Sequence, residues 1–447
     1  MDEMKHSHGD EGYKAGSITL GGAVAMGTGV MIGAGIFALT GQIAELAGPI
    51  FPLAFIVGAI VTGFSAYSYI KMSNAWPSAG GIAMILQKCY GPGAVAAGAA
   101  LLMALSMVIA ESLVARTFAT YLLRPFDING GPLVPILAVT VIIFAFLVNI
   151  AGNRSIGLFS LVMAAIKIGG IALFGVAALW SSGIEFSATS QSGDSFGITG
   201  FIASVALAIL AFKGFTTITN SGAEITDPHR NVGRAILISI GLCVVVYLLV
   251  AFGVGSSLTI DQIIAARDYS LAEAAAPALG EIGFLLTVLL AVVATATAVL
   301  ASVFAVSRML AMLTDMKMIP HSHFGMSGPI QRHTLVYTVV IASTLTILFD
   351  LGRIASLGAF FYLVMDMVVH FGVLKFRRRE VGAKAPVLVV ALAFDTLVMA
   401  AFTMMKLQSD PAIVAYASAG IVAVFIYERF YLAHWLMPQH VDDQSGV

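Results

Sequence analysis

Twelve long apolar runs, each cut off by proline, glycine or charge, constrain the fold of this chain more than any other feature. They cover residues 18–46, 50–70, 93–122, 133–150, 156–180, 197–220, 234–255, 283–312, 335–349, 354–374, 386–405 and 411–431. A helix needs about 20 apolar residues to cross a bilayer, so the pattern predicts an all-α polytopic membrane protein with 12 transmembrane helices. Composition agrees. Of 447 residues, 59% are hydrophobic and 11% charged, whereas soluble domains carry about a quarter of their residues as charge. An ordinary soluble enzyme is excluded on that ground. A net charge of −1, with no basic run beyond Arg377, Arg378 and Arg379, gives no electrostatic footprint for nucleic acid.

The N-terminal stretch is polar and mixes acidic with basic residues, unlike a secretory signal, so no cleaved leader is expected. Cys89 and Cys243 show no metal-ligand spacing and make no disulfide framework. Connections other than 261–281 and 315–332 are short, which predicts one membrane domain. Short loops rich in lysine and arginine stay cytoplasmic. With the N-terminus inside, the inner segments collect Lys5, Lys14, Lys71, Lys88, Arg154, Arg230, Arg234, Arg308, Lys317, Arg332, Lys375, Arg377, Arg378, Arg379, Lys384 and Arg429. The outer loops keep Arg124, Arg267, Arg353 and Lys406. Both termini are therefore expected in the cytoplasm, with the protein in the cell membrane.

Two spans violate helical logic. The first carries glycines at 21, 22, 27, 29, 33, 35 and 41, with Gly33-Ala34-Gly35 near its middle. Small residues also serve close helix packing in membranes, so this stretch alone does not decide. The sixth carries Lys213-Gly214 between Phe212 and Phe215, followed by Thr216, Thr217, Thr219, Asn220 and Ser221. The two stand five helices apart, and interruptions at corresponding positions of two halves point to an inverted-repeat secondary transporter with a midplane site. Unwinding frees N–H and C=O groups that lipid leaves unsatisfied. Freed amides suit a carboxylate and freed carbonyls an ammonium group, which together describe a receptor for an amino acid.

At these residues the chain resembles the amino acid–polyamine–organocation transporter superfamily, and within it the proton-coupled, broad-specificity amino acid permeases. The stretches that carry the resemblance are GVMIGAGIF (29–37), AYSYIKMSNAWPSAGG (66–81), FKGF (212–215), AEITDPHRNVGRAI (223–236), YSLAEAAAPALGEIG (269–283) and SRMLAMLTDMKMIP (307–320). Two departures are Lys213, where a neutral residue is usual, and Gly233, where a proline is common. The resemblance implies a LeuT-type fold: helices 1–10 as a five-plus-five inverted repeat with helices 1 and 6 broken, then two peripheral helices. On that scheme 1–16 is a cytoplasmic tail and 17–375 the transport core, with repeats at about 17–181 and 196–375. Residues 376–436 hold helices 11 and 12, and 437–447 form a second cytoplasmic tail.

Charges at membrane depth are functional candidates by default. Lys167 lies close to the middle of span 5. Desolvation disfavours a buried ammonium, so such a lysine can exchange a proton in the physiological range. Protons, not sodium, are then the expected coupling ion, with no cofactor or metal. The resemblance places Lys167 between helices 1 and 8, with the carbonyl of Gly29 and a hydroxyl of Thr297 or Ser302 as partners. It also implies a substrate site of Ile32, Gly33, Ala34, Gly35, Glu111, Phe212, Lys213, Gly214 and Phe215. There the amides of Ala34 and Gly35 hold the carboxylate, and the carbonyls of Ile32, Phe212 and Phe215 hold the amine. Glu111, in span 3, would face the distal end of the substrate. Sequence leaves open whether Glu111 pairs with Lys213, which would neutralise the pocket, or stands apart as an extra anchor.

Asp366 and His370 are four apart in span 10 and share a helix face; an internal hydrogen bond is expected there. Asp395 and Arg116 have no assignment, although Arg116 sits where it can snorkel. His321, His323 and His333 lie together without a second ligand cluster, so no metal site is expected. Phe37, Phe212 and Phe215 can close over a substrate to exclude water. No GxxxxGK[ST] motif is present, so gradients must supply the energy. No enzyme signature such as HExxH or a nucleophile elbow occurs either. The expected function is import of amino acids by proton symport through alternating access. The alternative is an exchanger or carrier for amino acids, polyamines or organic amines.

Overall fold

A computed structural model describes residues 15–431 except 79, 129, 152–155, 183–195 and 320–329. His321 and His323 lie outside the described residues. Among those described, the chain is helical throughout, apart from one isolated parallel bridge between Ile18 and Ile225. Ten helical stretches are long and apolar enough to cross a membrane, and two shorter apolar ones, Leu20–Gly33 and His333–Leu348, join them.

The first span comprises α1 (Leu20–Val30), a π turn (Met31–Gly35) and α2 (Ile36–Ala47). Thr19 starts it, its hydroxyl accepting from the amide of Gly22 at 3.1 Å. Gly48 ends it at φ +61°, a conformation glycine adopts without strain. Then follow α3 (Phe51–Ala75), the short α4 (Gly81–Tyr90), α5 (Ala94–Leu123), α6 (Leu133–Ala151) and α7 (Ile156–Ser181). The sixth span is α8 (Ile198–Phe212), a 3-10 turn (Lys213–Phe215) and α9 (Thr216–Asn220), with a second 3-10 turn at Gly222–Glu224. Next come α10 (Pro228–Ser257), α11 (Ile260–Ala265) and α12 (Ser270–Asp315). The last described helices are α13 (Ile330–Leu348), α14 (Leu351–Gly372), α15 (Ala385–Ser409) and α16 (Pro411–Tyr431).

Both interruptions keep helical angles: Val30 is at φ −75°, ψ −46° and Gly35 at φ −58°, ψ −48°, so the first helix widens by a π turn. The sixth tightens instead, with Lys213 at φ −55°, ψ −23°. Either change interrupts the i→i−4 ladder without exposing a length of bare backbone. Within α12 two helical segments meet at a kink at Gly280 (φ +69°, ψ −170°), three residues after Pro277, and the apolar run expected as the eighth span follows the kink.

The two broken spans are joined at one end and anchored at the other. At the start of α1, Ile18 N–H donates to the carbonyl of Glu224 at 2.9 Å, and Thr226 N–H donates to the carbonyl of Ile18 at 2.8 Å. Glu224 is paired in turn with Arg308 of α12 at 3.0 Å. Near the far end of the first span, Gln42 donates to Asp268 at 2.6 Å and Glu45 pairs with Arg267. Burial there raises the Asp268 carboxyl above its ordinary range, while Arg267 and the Gln42 hydrogen bond oppose that rise. Arg116 reaches the end of α13, where its Nη1 donates to the carbonyl of Phe349.

Candidate functional site

The π turn of the first span and the 3-10 turn of the sixth lie against each other. A β-carbon on Gly214 would stand 2.7 Å from the Met31 amide nitrogen and 3.1 Å from Val30 Cγ1. One on Gly35 would stand 2.8 Å from the Ala211 carbonyl oxygen. Only glycine lets these backbones approach so closely. Tyr247 of α10 stitches them together: its hydroxyl is 2.6 Å from the carbonyl of Met31 and 3.1 Å from that of Ala211, donating toward both. Neither Tyr247 nor Met31 was singled out by sequence. The available signal was a lone hydroxyl in the apolar stretch LCVVVYLLV (242–250).

Each phenylalanine proposed as a lid is fully buried against a tyrosine. Phe212 packs on Tyr247 with ring centroids 4.9 Å apart, Phe215 meets Tyr69 edge-on at 5.3 Å, and Phe37 meets Tyr121 edge-on at 5.6 Å. Such pairs contribute beyond their buried area. Here they hold both ends of the 3-10 turn and the helix that follows the π turn.

Lys213 and Glu111 do not pair. The Lys213 ammonium donates to the carbonyl and hydroxyl of Ser106 on α5, at 2.7 and 2.6 Å, and lies 5.6 Å from the ring of Tyr362 on α14. Glu111 is fully buried, and neither carboxylate oxygen has a hydrogen-bond partner among the described residues. Helical spacing continues to Glu111 the α5 stripe of Leu101, Ala104 and Val108. That stripe lines an apolar cavity of about 180 Å³ together with Leu310, Tyr337 and Ile341. Glu111 therefore belongs to the side of α5 that meets α12 and α13.

Lys167 is buried in α7 between two contacts. Three residues before it, Ala164 lies 3.8 Å from where a β-carbon on Gly29 would stand; three after it, Gly170 backs onto Leu290 of α12. The helix thus runs past the first break and α12 together, and Gly33 itself backs onto Ala298 of α12. The expected hydroxyl partners are turned elsewhere. Thr297 donates to the carbonyls of Val293 and Ala294, and Ser302 to that of Val299. No hydrogen bond from another described residue reaches the Lys167 ammonium.

Ile32, Gly33, Ala34 and Gly35 all lie within the π turn. Together with Phe212, Lys213, Gly214 and Phe215 they gather around one contact between two interrupted helices, with a lysine on each flank. Interruptions at corresponding positions of two halves are where inverted-repeat transporters place a midplane site.

A family model described as amino acid permease matches residues 18–427. The inner membrane transport protein YbaT of Escherichia coli is 29% identical over 82% of this chain and 85% of its own length. The branched-chain amino acid permease BcaP of Lactococcus lactis is 26% identical over 77% of this chain and 78% of its own. The serine/threonine exchanger SteT of Bacillus subtilis is 21% identical over 77% and 81%. With nearly its whole length matched, the chain belongs to the amino acid permease family, within the amino acid–polyamine–organocation superfamily.

Proposed function

We propose that this permease imports amino acids by proton symport, binding substrate where the first and sixth spans are interrupted. One observation carries the reading: the π turn abuts the 3-10 turn at Gly214 and the end of α8 at Gly35, and the Tyr247 hydroxyl lies between the carbonyls of Met31 and Ala211. A zwitterion at that contact has backbone groups of both helices within reach. Amides of Ala34 and Gly35 take its carboxylate, and carbonyls of Ile32, Phe212 and Phe215 take its ammonium group. The carbonyl of Met31 is already engaged by Tyr247. The names of the relatives BcaP and SteT support amino acids as the substrate class. On this reading helices 1–5 and 6–10 form an inverted repeat, both termini are cytoplasmic, and the protein sits in the cell membrane.

Lys167 is the coupling residue in this proposal. Its position on α7, one turn from the Ala164 that faces Gly29 just before the first break, and beside α12, lets its charge alter how α7 holds both. A proton or substrate can shift the outward and inward states only by binding them unequally. Exchange is the second reading, supported by the exchanger among the relatives.

The test is uptake of a radiolabelled amino acid mixture into proteoliposomes under an inward proton gradient, an inward sodium gradient, or neither. Uptake driven by protons and indifferent to sodium is expected, with accumulation lost in Lys167→Ala and substrate binding retained. Uptake seen only with preloaded vesicles would favour exchange. Sodium-driven uptake, or accumulation that survives Lys167→Ala, would overturn the role of Lys167.

A further inference from the structure

Where α3, α14 and α15 cross, three ionisable side chains that the proposed pathway does not use meet out of contact with solvent. Asp366 and His370 lie one turn apart on α14, and Asp395 reaches them from α15; all three are fully buried. The Nε2 of His370 is 3.4 Å from Asp366 Oδ1 and 3.4 Å from Asp395 Oδ2. Asp366 is well satisfied, accepting from the Ser65 hydroxyl at 2.7 Å and the Tyr69 hydroxyl at 2.5 Å. On its other side, His370 Nδ1 is hydrogen-bonded to Ser68 Oγ at 2.8 Å. Asp395 is different. Among the described residues neither of its oxygens has a hydrogen-bond partner, and His370 Nε2 has none either. The unmet need at the centre of the cluster is a hydrogen.

Charge counting leads to the same place. With both acids ionised and the imidazole neutral, two negative charges would share one buried site, and each buried ion carries a desolvation penalty. One oxygen of each acid and His370 Nε2 lie within 4.8 Å of one another, but both oxygens of Asp366 already accept a hydroxyl hydrogen. A metal ion would have to share them with Ser65 and Tyr69, and metal content is read in the test below.

We propose that Asp366, His370 and Asp395 form a second proton-binding site, separate from Lys167, whose occupancy is relayed to the break in the sixth span through Tyr69. A proton on Asp395 turns one of its oxygens into a donor to Nε2; a proton on Nε2 turns the imidazole into a donor to both acids. Either removes one negative charge from the cluster. Tyr69 is the link, because its hydroxyl holds Asp366 while its ring meets His370 at 6.1 Å and Phe215, in the 3-10 turn, at 5.3 Å. The other titratable groups around the cluster are identifiable. Tyr362 lies one turn before Asp366, with Lys213 of the sixth span over its ring. From α4, Tyr90 donates to the carbonyl of Val368 at 2.6 Å, and Cys89 backs onto Gly372. Ser106 and Ile109 of α5, and Gly420 of α16, bring no titratable group to α14.

This inference rests on the proton-symport reading, so its test separates the two. Wild type, Asp395→Asn and His370→Gln are reconstituted, and three quantities are read: protons moved per substrate, the pH profile of uptake, and counterflow of preloaded substrate without any gradient. Both variants are expected to keep counterflow, showing that they fold and bind, while losing protons per substrate and the pH dependence that wild type shows. Asp395→Glu is expected to restore both. Variants that match wild type in proton flux and pH profile would overturn the site. So would a stoichiometric transition metal that copurifies with wild type and is lost from Asp395→Asn. If wild type itself ignores a proton gradient, the symport reading fails, and pH-difference infrared spectroscopy then judges the site alone. A protonated carboxyl band that titrates in wild type and is missing from Asp395→Asn upholds it; no such band refutes it.

Discussion

Tyr247→Phe removes one oxygen from the contact between the two breaks and leaves the ring in place. The aromatic packing on Phe212 at 4.9 Å and on Phe55 at 5.5 Å persists, so the core keeps its shape. What disappears is the hydroxyl between the Met31 and Ala211 carbonyls, at 2.6 and 3.1 Å. Side-chain hydrogen bonds in membrane proteins are worth about 0.6 kcal/mol on average and about 1.7 at most. The short bond to Met31 belongs toward the upper end. Leaving a buried acceptor unsatisfied costs about 1–3 kcal/mol, here at the low end because each carbonyl has a second lone pair. Together these give about 1–2 kcal/mol, roughly a 5- to 30-fold change in the balance between joined and separated breaks. Initial rates and KM in proteoliposomes, with thermal unfolding in detergent as a check on folding, provide the assay. The expected variant is folded, slightly less stable and slower by a factor in that range. A variant with wild-type rate and KM would refute the idea that Tyr247 couples the two interruptions.

Gly214→Ala is expected to abolish transport in a folded protein, because the new methyl meets the backbone nitrogen of Met31, whereas Gly63→Ala, with open space around it, should behave as wild type; uptake rates for the two check this. Glu111→Gln and Lys213→Met are expected to act independently on transport. The Lys213 ammonium sits at Ser106, five residues before Glu111, or about 7.5 Å along the helix axis, so a double-mutant cycle should give a coupling of less than about 0.5 kcal/mol. Asp410 lies between α15 and α16, outside the spans, where the Arg353 hydrogen bonds hold its carboxyl below the ordinary 3.8. Because its folded-state pKa is depressed, its stabilisation is present at neutral pH and lost as pH falls through that folded value. Asp410→Asn should therefore melt below wild type at neutral pH, and the gap should close on strong acidification; a gap constant with pH would discount the ion pair.

The parts of this architecture that are local in sequence were legible, and those that depend on distant pairing were not. Gly33-Ala34-Gly35 and Lys213-Gly214 announce irregular helix because glycine and charge disturb a lipid-facing helix wherever they occur. The kind of irregularity is another matter. A π turn and a 3-10 turn keep helical angles, and composition does not separate them from an unwound segment. Tyr247 and Met31 are 216 positions apart, and Tyr69 and Asp366 are 297 apart, so no window along the chain joins them. The Glu111–Lys213 question was open for the same reason. It closed on Ser106, a residue with no charge to draw attention to it. Asp395 carried a signal, an acid inside an apolar span, but the His370 it faces lies on another helix.

The contacts also bear on what moves during transport. Spans one and six touch at several levels: Ile18 with Glu224 and Thr226, Gly27 with Ile218, Met31 with Gly214, and Gly35 with Ala211. Helices fixed to each other at that many points shift as one body, since packed interfaces change between discrete arrangements and do not deform continuously. The two sets of proton-exchanging candidates lie off that body and touch it at different places. Lys167 belongs to α7, which meets α1 at Gly29, just before the first break; Asp366, His370 and Asp395 reach the sixth through Tyr69 and Phe215. A substrate bound between the breaks would tighten the joined pair, while protons on either flank would change what the pair leans against. Coupling then needs no direct contact between proton and substrate. It needs only that each binds the same arrangement of spans one and six more tightly than the other.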